Sequence, residues 1–353
     1  MKRYAVIMAG GIGERFWPLS RAERPKHLWS ITGGDCMLSL TFARVARFIP
    51  KSNIMIITNP AQIKGIKKYC PEIPQENIIS EPVGRDTTAA VGLAALLVRL
   101  RAKGDESSFA VFPSDSAVND VEGFSETIAK AFEVAEKGER LVTIGIKPTF
   151  PATGYGYIKR SFEEDGAYKV ERFYEKPNEM RAVSYLESGD FYWNSGIFVW
   201  LTSSISNALK DNAPKTFGIF EKVGCGLESG GDFCKILAEY YPQIEKISID
   251  FSVMEKSQNI WVVPAAFDWD DVGSWAAVER HLKRDGKGNI VKGEFYSCDA
   301  SDCVVFDTAN RATAIVGLKD IVVIHSDDAT LICRKDCTEK VKELVRILPP
   351  KLK

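Results

Sequence analysis

The chain has 353 residues, a formal net charge of −1 and a hydrophobic content of 45%. This length predicts one large domain with a smaller one, and the apolar content is enough for a sizeable core. A charge so close to zero gives no field that would favour nucleic acid or a membrane surface, and no apolar run approaches the ~20 residues that span a bilayer. Since the chain also starts without a signal-peptide pattern, we expect a cytoplasmic protein with no nucleic-acid or membrane partner.

The cysteines and histidines argue against a zinc site. The chain has 8 cysteines and 3 histidines, which are scattered, and no C-x-x-C pair occurs. Zinc sites need clustered ligands at characteristic spacings. In a cytoplasmic protein we therefore expect free thiols.

The first predicted element is a short apolar strand over residues 4–8, which leads into a glycine-rich loop. Glycines in such a loop let backbone N–H groups approach a ligand, and consecutive N–H groups form a concavity that suits phosphate oxygens. Basic side chains then supply the positive charge that a polyphosphate needs. The loop lacks both Gly-Lys-Ser/Thr and the third glycine of the dinucleotide fingerprint, so neither of those nucleotide loops is present. The residues concerned are Gly10, Gly11, Gly13, Arg15 and Lys26.

Strands and helices then alternate along the chain. Strands are predicted at 53–58, 77–80, 109–112 and 141–146, and helices at 37–48, 60–69, 123–136 and a segment ending near 101. This alternation predicts an α/β fold with a Rossmann-like, mostly parallel sheet flanked by helices. Ligands of such sheets lie beyond the carboxyl ends of the strands, where the polar motifs of this chain also fall.

From residue 150 the pattern changes to twisted strands and helices. Strands are predicted at 153–158, 170–175, 191–200 and 260–263, helices at 178–188, 202–212 and 274–283, and a surface loop at the glycine-rich segment 224–231. A linker at 285–289 divides the chain into a large N-terminal domain, 1–284, and a C-terminal domain, 285–353. Short β-branched runs in the second domain predict a small β-rich unit closed by a helix over 338–347.

The string GGIGERFWPLSRAERPK, which ends at Lys26, resembles the signature G-G-x-G-x-R-x-x-P-L-(S/T)…P-K of the sugar-1-phosphate nucleotidylyltransferases. With Trp17 and Ser20 it is most similar to the mannose-1-phosphate guanylyltransferase branch, although His27 stands where that branch usually has Gln. The resemblance covers roughly residues 3–350. The further motifs that carry it are EPVGRDT (81–87), PSD (113–115), GYGY (154–157), FYEKP (173–177), WNSGIF (193–198) and DWDDVGSW (268–275).

The resemblance implies that nucleotide-binding residues lie in the glycine-rich loop and directly after the strands predicted at 77–80 and 109–112. A carboxylate and backbone groups there could match the N–H donors of guanine. The segment 81–87 also has a purely structural interpretation, in which Asp86 and Thr87 cap the following helix. Asp86 replaces the usual Asn of the family. The nucleotide-binding residues are Ala9, Gly10, Gly11, Gly13, Glu81, Gly84, Arg85, Thr87 and Ser114.

The resemblance also implies residues that bind the sugar phosphate. Lys176 would hold its phosphate, and the residue before a proline is expected to be extended. The alternative is that Glu175 and Lys176 are solvated charges on opposite faces of a strand. The sugar-phosphate residues are Tyr155, Gly156, Glu175, Lys176 and Asn194.

Two aspartates are the candidate metal ligands. Nucleotidyl transfer needs a hard cation to offset the charge of the triphosphate, and carboxylates are its usual protein ligands. The resemblance assigns Mg²⁺ to Asp115 and Asp271, whereas an aspartate at a strand end can also be a simple turn residue. Asp270 stands where the family more often has Ser.

The implied reaction transfers GMP from GTP to mannose-1-phosphate and gives GDP-mannose and pyrophosphate. Arg15, Lys26, Lys176, Asp115 and Asp271 would act by positioning and charge neutralisation. Two alternatives remain: the same reaction with UTP or dTTP and glucose-1-phosphate, or a silent regulatory subunit that binds a nucleotide sugar. The resemblance further implies a short left-handed β-helix at the C-terminus and a homodimer. We also expect no isomerase activity, because the chain stops before a further module of ~100–150 residues.

Overall fold

The structure, a computed structural model, describes residues 1–30 and 34–353. In this part of the chain, none of the helices combines the length and the apolar character that a membrane span requires. The described residues form one large sheet with helices on both faces, followed by a small β-rich domain.

The large sheet has nine strands in the order β3-β2-β1-β4-β8-β5-β9-β7-β6. The first four are parallel to one another, β5 and β9 are also parallel, and β8 runs antiparallel between β4 and β5. The predicted α/β fold with a sheet rich in parallel strands is therefore confirmed. The strands are β1 (Lys2–Ala9), β2 (Ile54–Thr58), β3 (Ile78–Ser80), β4 (Ser107–Pro113), β5 (Leu141–Ile146), β6 (Tyr157–Glu164), β7 (Ala167–Tyr174), β8 (Phe191–Leu201) and β9 (Ile260–Pro264).

Helices cover both faces of this sheet. Ala5 and Ile7 of β1 pack on the side of α1, α2, α4 and α5, while Tyr4 and Val6 pack on the side of α3, α6, α7 and α8. Because successive strand residues face opposite sides, a strand buried on both faces is apolar throughout. The helices are α1 (Met37–Val45), α2 (Ile63–Tyr69), α3 (Asp86–Arg101), α4 (Val121–Ala135), α5 (Glu179–Ser188), α6 (Thr202–Asn212), α7 (Pro214–Glu228), α8 (Phe233–Tyr240), α9 (Trp275–Val278) and α10 (Val341–Ile347).

The surface loop predicted at 224–231 is wrong for most of its length, because α7 continues to Glu228. Gly224 is buried in α7, and a Cβ at this position would lie 3.3 Å from Cδ1 of Leu96 on α3. The glycine thus permits close approach of two helices, and this packing outweighs the poor helix propensity of glycine.

The C-terminal domain is built mainly from short strands stacked in parallel, and its last strand pairs antiparallel with the strand before it. Ile290 pairs with Val304, and Val304 pairs with Val322 in the next layer. Asp302 and Asp320 both have φ of 54° and occupy equivalent corners, two residues before these paired valines. The predicted β-rich domain is confirmed, and its left-handed winding stays a prediction. The strands are β10 (Ile290–Lys292), β11 (Phe295–Cys298), β12 (Val304–Asp307), β13 (Thr313–Val316), β14 (Ile321–His325) and β15 (Thr330–Arg334).

Candidate active site

A cleft lies beyond the carboxyl ends of β1 and β4, which are neighbouring parallel strands. It consists of two adjoining cavities, of about 560 Å³ and about 500 Å³. We call the first the outer cavity and the second the inner cavity. Both are lined by Gly11, Pro113, Asp115 and Lys246, so one elongated ligand could occupy the two together.

Lys26 forms hydrogen bonds with two walls of the outer cavity. Its Nζ donates to Oδ2 of Asp115 over 2.8 Å and to the backbone carbonyl of Asp271 over 2.6 Å, and Lys26 is only 6% exposed. The backbone of Gly13 allows the loop to pass close to Lys26. Its φ is 74°, and a Cβ at Gly13 would lie 2.6 Å from Cβ of Lys26. A left-handed glycine is therefore required where the loop turns back over the lysine.

The two candidate metal ligands face this same cavity. Burial would raise the pKa of Asp115, but the charge and the hydrogen bond of Lys26 outweigh it and lower that pKa below its usual value. Burial raises the pKa of Asp271, although its Oδ1 accepts hydrogen bonds from the Tyr155 hydroxyl over 2.8 Å and from the Gly273 N–H over 3.2 Å. Among the described residues, the second oxygen of each carboxylate accepts no hydrogen bond.

The donor chemistry of this pair suits a hard divalent cation, which prefers carboxylate oxygens. No group of three or more His, Cys, Asp or Glu side chains that could hold a metal occurs in the described parts of the chain. Two carboxylates alone leave most of an octahedron unfilled, so phosphate oxygens and water would have to complete it.

Glu81 lines the inner cavity and is itself buried. It accepts a hydrogen bond from the hydroxyl of Tyr241, and burial raises the pKa of Glu81 to about 7. Gly84 and Thr87 line the same cavity. The inner cavity therefore offers the buried carboxyl group of Glu81 beside the exposed backbone of Gly84, which suits a ligand with N–H donors.

The helix cap predicted at Asp86 and Thr87 is wrong. Oδ1 of Asp86 accepts only from the neighbouring N–H of Thr87, over 2.7 Å, and φ of Asp86 is 66°. The Thr87 hydroxyl instead accepts from the N–H of Ile249, over 2.8 Å. Neither side chain therefore caps α3, and the Thr87 contact instead joins the start of α3 to Ile249 in the wall of the inner cavity.

Three of the predicted nucleotide-binding residues line neither cavity. The carbonyl of Ala9 accepts from the hydroxyl of Thr58 over 2.7 Å. The N–H of Ser114 donates to the carbonyl of Met8 over 3.2 Å. The guanidinium of Arg85 donates to the backbone carbonyl at residue 242, just after α8. These contacts hold the strand ends and loops that surround the cleft.

Three of the predicted sugar-phosphate residues lie together. The N–H of Asn194 donates to the carbonyl of Gly156 over 2.9 Å, and a Cβ at Gly156 would lie 3.0 Å from Oε2 of Glu175. Nδ2 of Asn194 donates to Oδ1 of Asp250 over 2.8 Å, and burial raises the pKa of Asp250 to about 6. Asp250 lines the inner cavity, so these residues adjoin the cleft.

Lys176 is not extended as predicted, since its φ is 32°. The clash with Pro177 favours extended backbone at the preceding residue, so the left-handed backbone of Lys176 departs from this local preference. Nζ of Lys176 lies 3.2 Å from Oε1 of Glu175, and its side chain is 59% exposed. Lys176 lines neither cavity, so the structure places it near Glu175 but not beside Lys26.

Two of the three residues that depart from the family pattern, His27 and Asp270, are held away from the chemistry of the outer cavity by burial or by ion pairs. His27 is 2% exposed, its Nε2 has no hydrogen-bond partner among the described residues, and burial lowers its pKa to about 4. It is therefore neutral near pH 7 and adds no charge beside Lys26. Asp270 accepts from Arg280 over 2.7 Å and from His281 over 3.0 Å, and these contacts hold its pKa below the usual range in spite of burial.

Sequence patterns missed three residues of the cleft. Asp250 lies in the short segment before β9, Lys246 lies at the junction of the two cavities, and Lys342 of α10 reaches the outer cavity from the C-terminal domain. The acidic residue in the apolar run SIDFSVM is a signal for Asp250. The two lysines have no local signal, because exposed lysines are common everywhere.

Comparison with known proteins finds relatives along nearly the whole chain. The nucleotidyl transferase family matches residues 4–287, and the MannoseP isomerase/GMP-like beta-helix domain matches residues 293–348. A mannose-1-phosphate guanylyltransferase of Salmonella montevideo is 37% identical over 352 residues, which cover 96% of this chain and 72% of that protein. One from Escherichia coli is 34% identical over 349 residues, 97% of this chain and 73% of that protein. A crystal structure from Thermus thermophilus, described as a mannose-1-phosphate geranyltransferase, has 35% identity and a TM-score of 0.86, covering 98% of this chain and 99% of that one.

Proposed function

The chain belongs to the nucleotidyl transferase family, in its mannose-1-phosphate guanylyltransferase branch, and we propose that it transfers GMP from GTP to mannose-1-phosphate. The products are GDP-mannose and pyrophosphate. The observation that carries this proposal is the contact of Lys26 with both Asp115 and Asp271 in a cavity that continues into the inner cavity. Lys26 contacts the carboxylate of Asp115 and the backbone carbonyl of Asp271, and all three residues line the outer cavity, where two phosphorylated substrates would have to meet.

The proposed arrangement puts guanine in the inner cavity and the triphosphate along the glycine-rich loop. Glu81 would accept from the N–H donors of the base, while the backbone at Gly11 and Gly13 would face phosphate oxygens. Arg15 and Lys26 would neutralise the phosphates that leave as pyrophosphate. An oxygen of the sugar phosphate would attack the α-phosphorus in line, and pyrophosphate would depart on the opposite side.

The sugar phosphate would approach from the side of Tyr155, Gly156, Glu175 and Asn194. Asn194, whose N–H donates to the carbonyl of Gly156, would offer both a donor and an acceptor to sugar hydroxyls. The exposed ammonium of Lys176 would exchange its contact with Glu175 for the substrate phosphate. Catalysis in this arrangement comes from positioning and from preorganised charge, and it uses no side-chain nucleophile.

Enzymes of this family generally use a divalent metal, and we propose Mg²⁺ held by Asp115 and Asp271. When bound, the cation would offset charge on the triphosphate. The free carboxylate oxygens of both residues and the location of both in the outer cavity support this assignment. A homodimer and a cytoplasmic location stay predictions.

Two alternatives can be tested in the same experiment. The purified chain is incubated with each of GTP, UTP and dTTP against mannose-1-phosphate and glucose-1-phosphate, and pyrophosphate release is measured. We expect the highest kcat/KM with GTP and mannose-1-phosphate, and a loss of activity in Lys26→Met. A preference for UTP or dTTP would reject the guanylyl assignment, and no pyrophosphate release from any pair would favour a regulatory subunit.

A further inference from the structure

The C-terminal domain reaches the glycine-rich loop through its last helical segment. Nε1 of Trp17 donates to the backbone carbonyl of Leu352 over 2.8 Å. Phe16 and Trp17 also share a buried apolar cluster with Val341 and Val345 of α10. This packing fixes α10 against the loop that lines the outer cavity.

An ion pair crosses the same contact. Nε of Arg15 lies 2.7 Å from Oε2 of Glu339, which closely precedes α10. Nη1 of Arg15 also lies 3.5 Å from the carbonyl of Gly273. The guanidinium of Arg15 is thus held between the catalytic sheet and the C-terminal segment, at the rim of the outer cavity.

The same segment contributes Lys342 to the wall of this cavity. Lys342 lines only the outer cavity, together with Gly13, Glu14 and Arg15, whereas Lys246 lines both cavities. Lys342 therefore lies at the loop side, away from the inner cavity. With the base in the inner cavity, this is the side on which the terminal phosphates of a triphosphate would lie.

We propose that Lys342 binds the pyrophosphate portion of the nucleoside triphosphate, so that the C-terminal domain supplies part of the active site. This inference rests on the proposed function for the direction in which the triphosphate lies. The lysine offers a flexible ammonium to a highly charged group, and a charge-assisted contact of this kind stabilises bound pyrophosphate and bound GTP alike. It makes no contact with the sugar phosphate, which enters from the other side.

The test compares Lys342→Met with Lys340→Met, which removes the same charge from an exposed residue of the same segment that lines neither cavity. In the reverse reaction, from GDP-mannose and pyrophosphate, Lys342→Met is expected to raise KM for pyrophosphate about tenfold. KM for GTP rises similarly in the forward reaction, and KM for mannose-1-phosphate stays unchanged. Lys342→Arg keeps the charge and is expected to stay close to wild type.

The inference is overturned if Lys342→Met has the same KM for pyrophosphate as Lys340→Met, or if it changes only KM for mannose-1-phosphate. If the wild-type chain forms no GDP-mannose, the proposed function fails first. The inference is then decided by calorimetric titration of inorganic pyrophosphate with magnesium into wild type and Lys342→Met. Weaker binding by the variant supports it, and equal affinity overturns it. Thermal melting of each variant checks folding, and Lys342→Gln or Lys340→Gln replaces the corresponding methionine variant if that variant does not fold.

Discussion

The hydroxyl of Tyr155 donates a 2.8 Å hydrogen bond to Oδ1 of Asp271. The ring of Tyr155 is held edge-on between Trp193 and Trp269, with centroid distances of 5.0 and 5.4 Å. The resemblance assigns Tyr155 to the wall of the sugar pocket, but the structure shows that it also orients a candidate metal ligand. This link joins the sugar side of the cleft to the proposed cation site.

Tyr155→Phe keeps the aromatic packing and removes this hydrogen bond. Burial already raises the pKa of Asp271, and loss of the donor raises that pKa further. Asp271 must be ionised to bind a cation, so the acid limb of the pH profile of kcat/KM is expected to move to higher pH. We expect activity near neutral pH to fall about tenfold.

The matched control is Tyr157→Phe, which removes a 3.0 Å hydrogen bond from a buried tyrosine to the carbonyl of Ala152. This change leaves the acid limb where it is in wild type, even if it lowers the melting temperature. An acid limb that is the same in Tyr155→Phe and wild type contradicts the positioning role of Tyr155.

Asp115→Asn and Asp271→Asn keep the shape of the site and remove a charge each. Either change is expected to lower kcat by at least ~10²-fold, and the double variant to be little worse than the poorer single one, because both act through one ion. Activity is measured against magnesium concentration and in excess chelator. Asp270→Asn is the control, since Asp270 is already paired with Arg280 and His281. Full activity of the wild-type protein in excess chelator would exclude the metal assignment.

Lys176→Ala is expected to weaken the use of mannose-1-phosphate while GTP binding survives. Loss of one charge-assisted contact to the substrate phosphate lowers kcat/KM for the sugar phosphate about 10²-fold. Steady-state kinetics with each substrate varied in turn separates the two effects. Lys159→Ala is the control, because Lys159 forms a similar ion pair with Glu171 over 2.8 Å, between the neighbouring strands β6 and β7. Normal kinetics in Lys176→Ala would show that Lys176 is a solvated surface charge with no part in substrate binding.

The Glu81→Gln variant tests how the charge of the buried carboxyl group affects the free energy of unfolding. The pKa of Glu81 is raised by burial from its ordinary value of 4.5 to about 7 in the folded protein. Between these pH values the folded state binds more protons than the unfolded state, so stability is lost as the pH rises through this window. Gln stays neutral and still accepts from Tyr241. We therefore expect the variant to be more stable than wild type at pH 8, by on the order of 3 kcal/mol.

The measurement is chemical denaturation of the ligand-free protein at pH 5 and pH 8. The advantage of Glu81→Gln is expected to shrink as the pH falls toward 5, and Glu187→Gln on the exposed side of α5 provides the comparison. A stability difference that is equal at both pH values would show that Glu81 is not destabilised by its charge.

The sequence alone predicts those features that depend on neighbouring residues. The apolar run of β1 and the alternation of strands and helices predict the buried parallel part of the sheet, since burial on both faces demands continuous apolar strands. Gly13 marks a left-handed turn because other residues are strained at φ of 74°. The motifs around Lys26, Asp115 and Asp271 identify the family and three members of the cleft.

Only the tertiary structure decides how these side chains meet. Tyr155 and Asp271 are 116 positions apart, Lys26 and Asp115 are 89 positions apart, and their contacts follow from the strand order of the sheet. The left-handed backbone of Lys176 departs from the extended preference of a residue before proline. The helical state of Gly224 contradicts the local propensity of glycine because helix packing outweighs it. Lys342 reaches the outer cavity from a second domain, and no local pattern predicts this because its position depends on how the two domains pack.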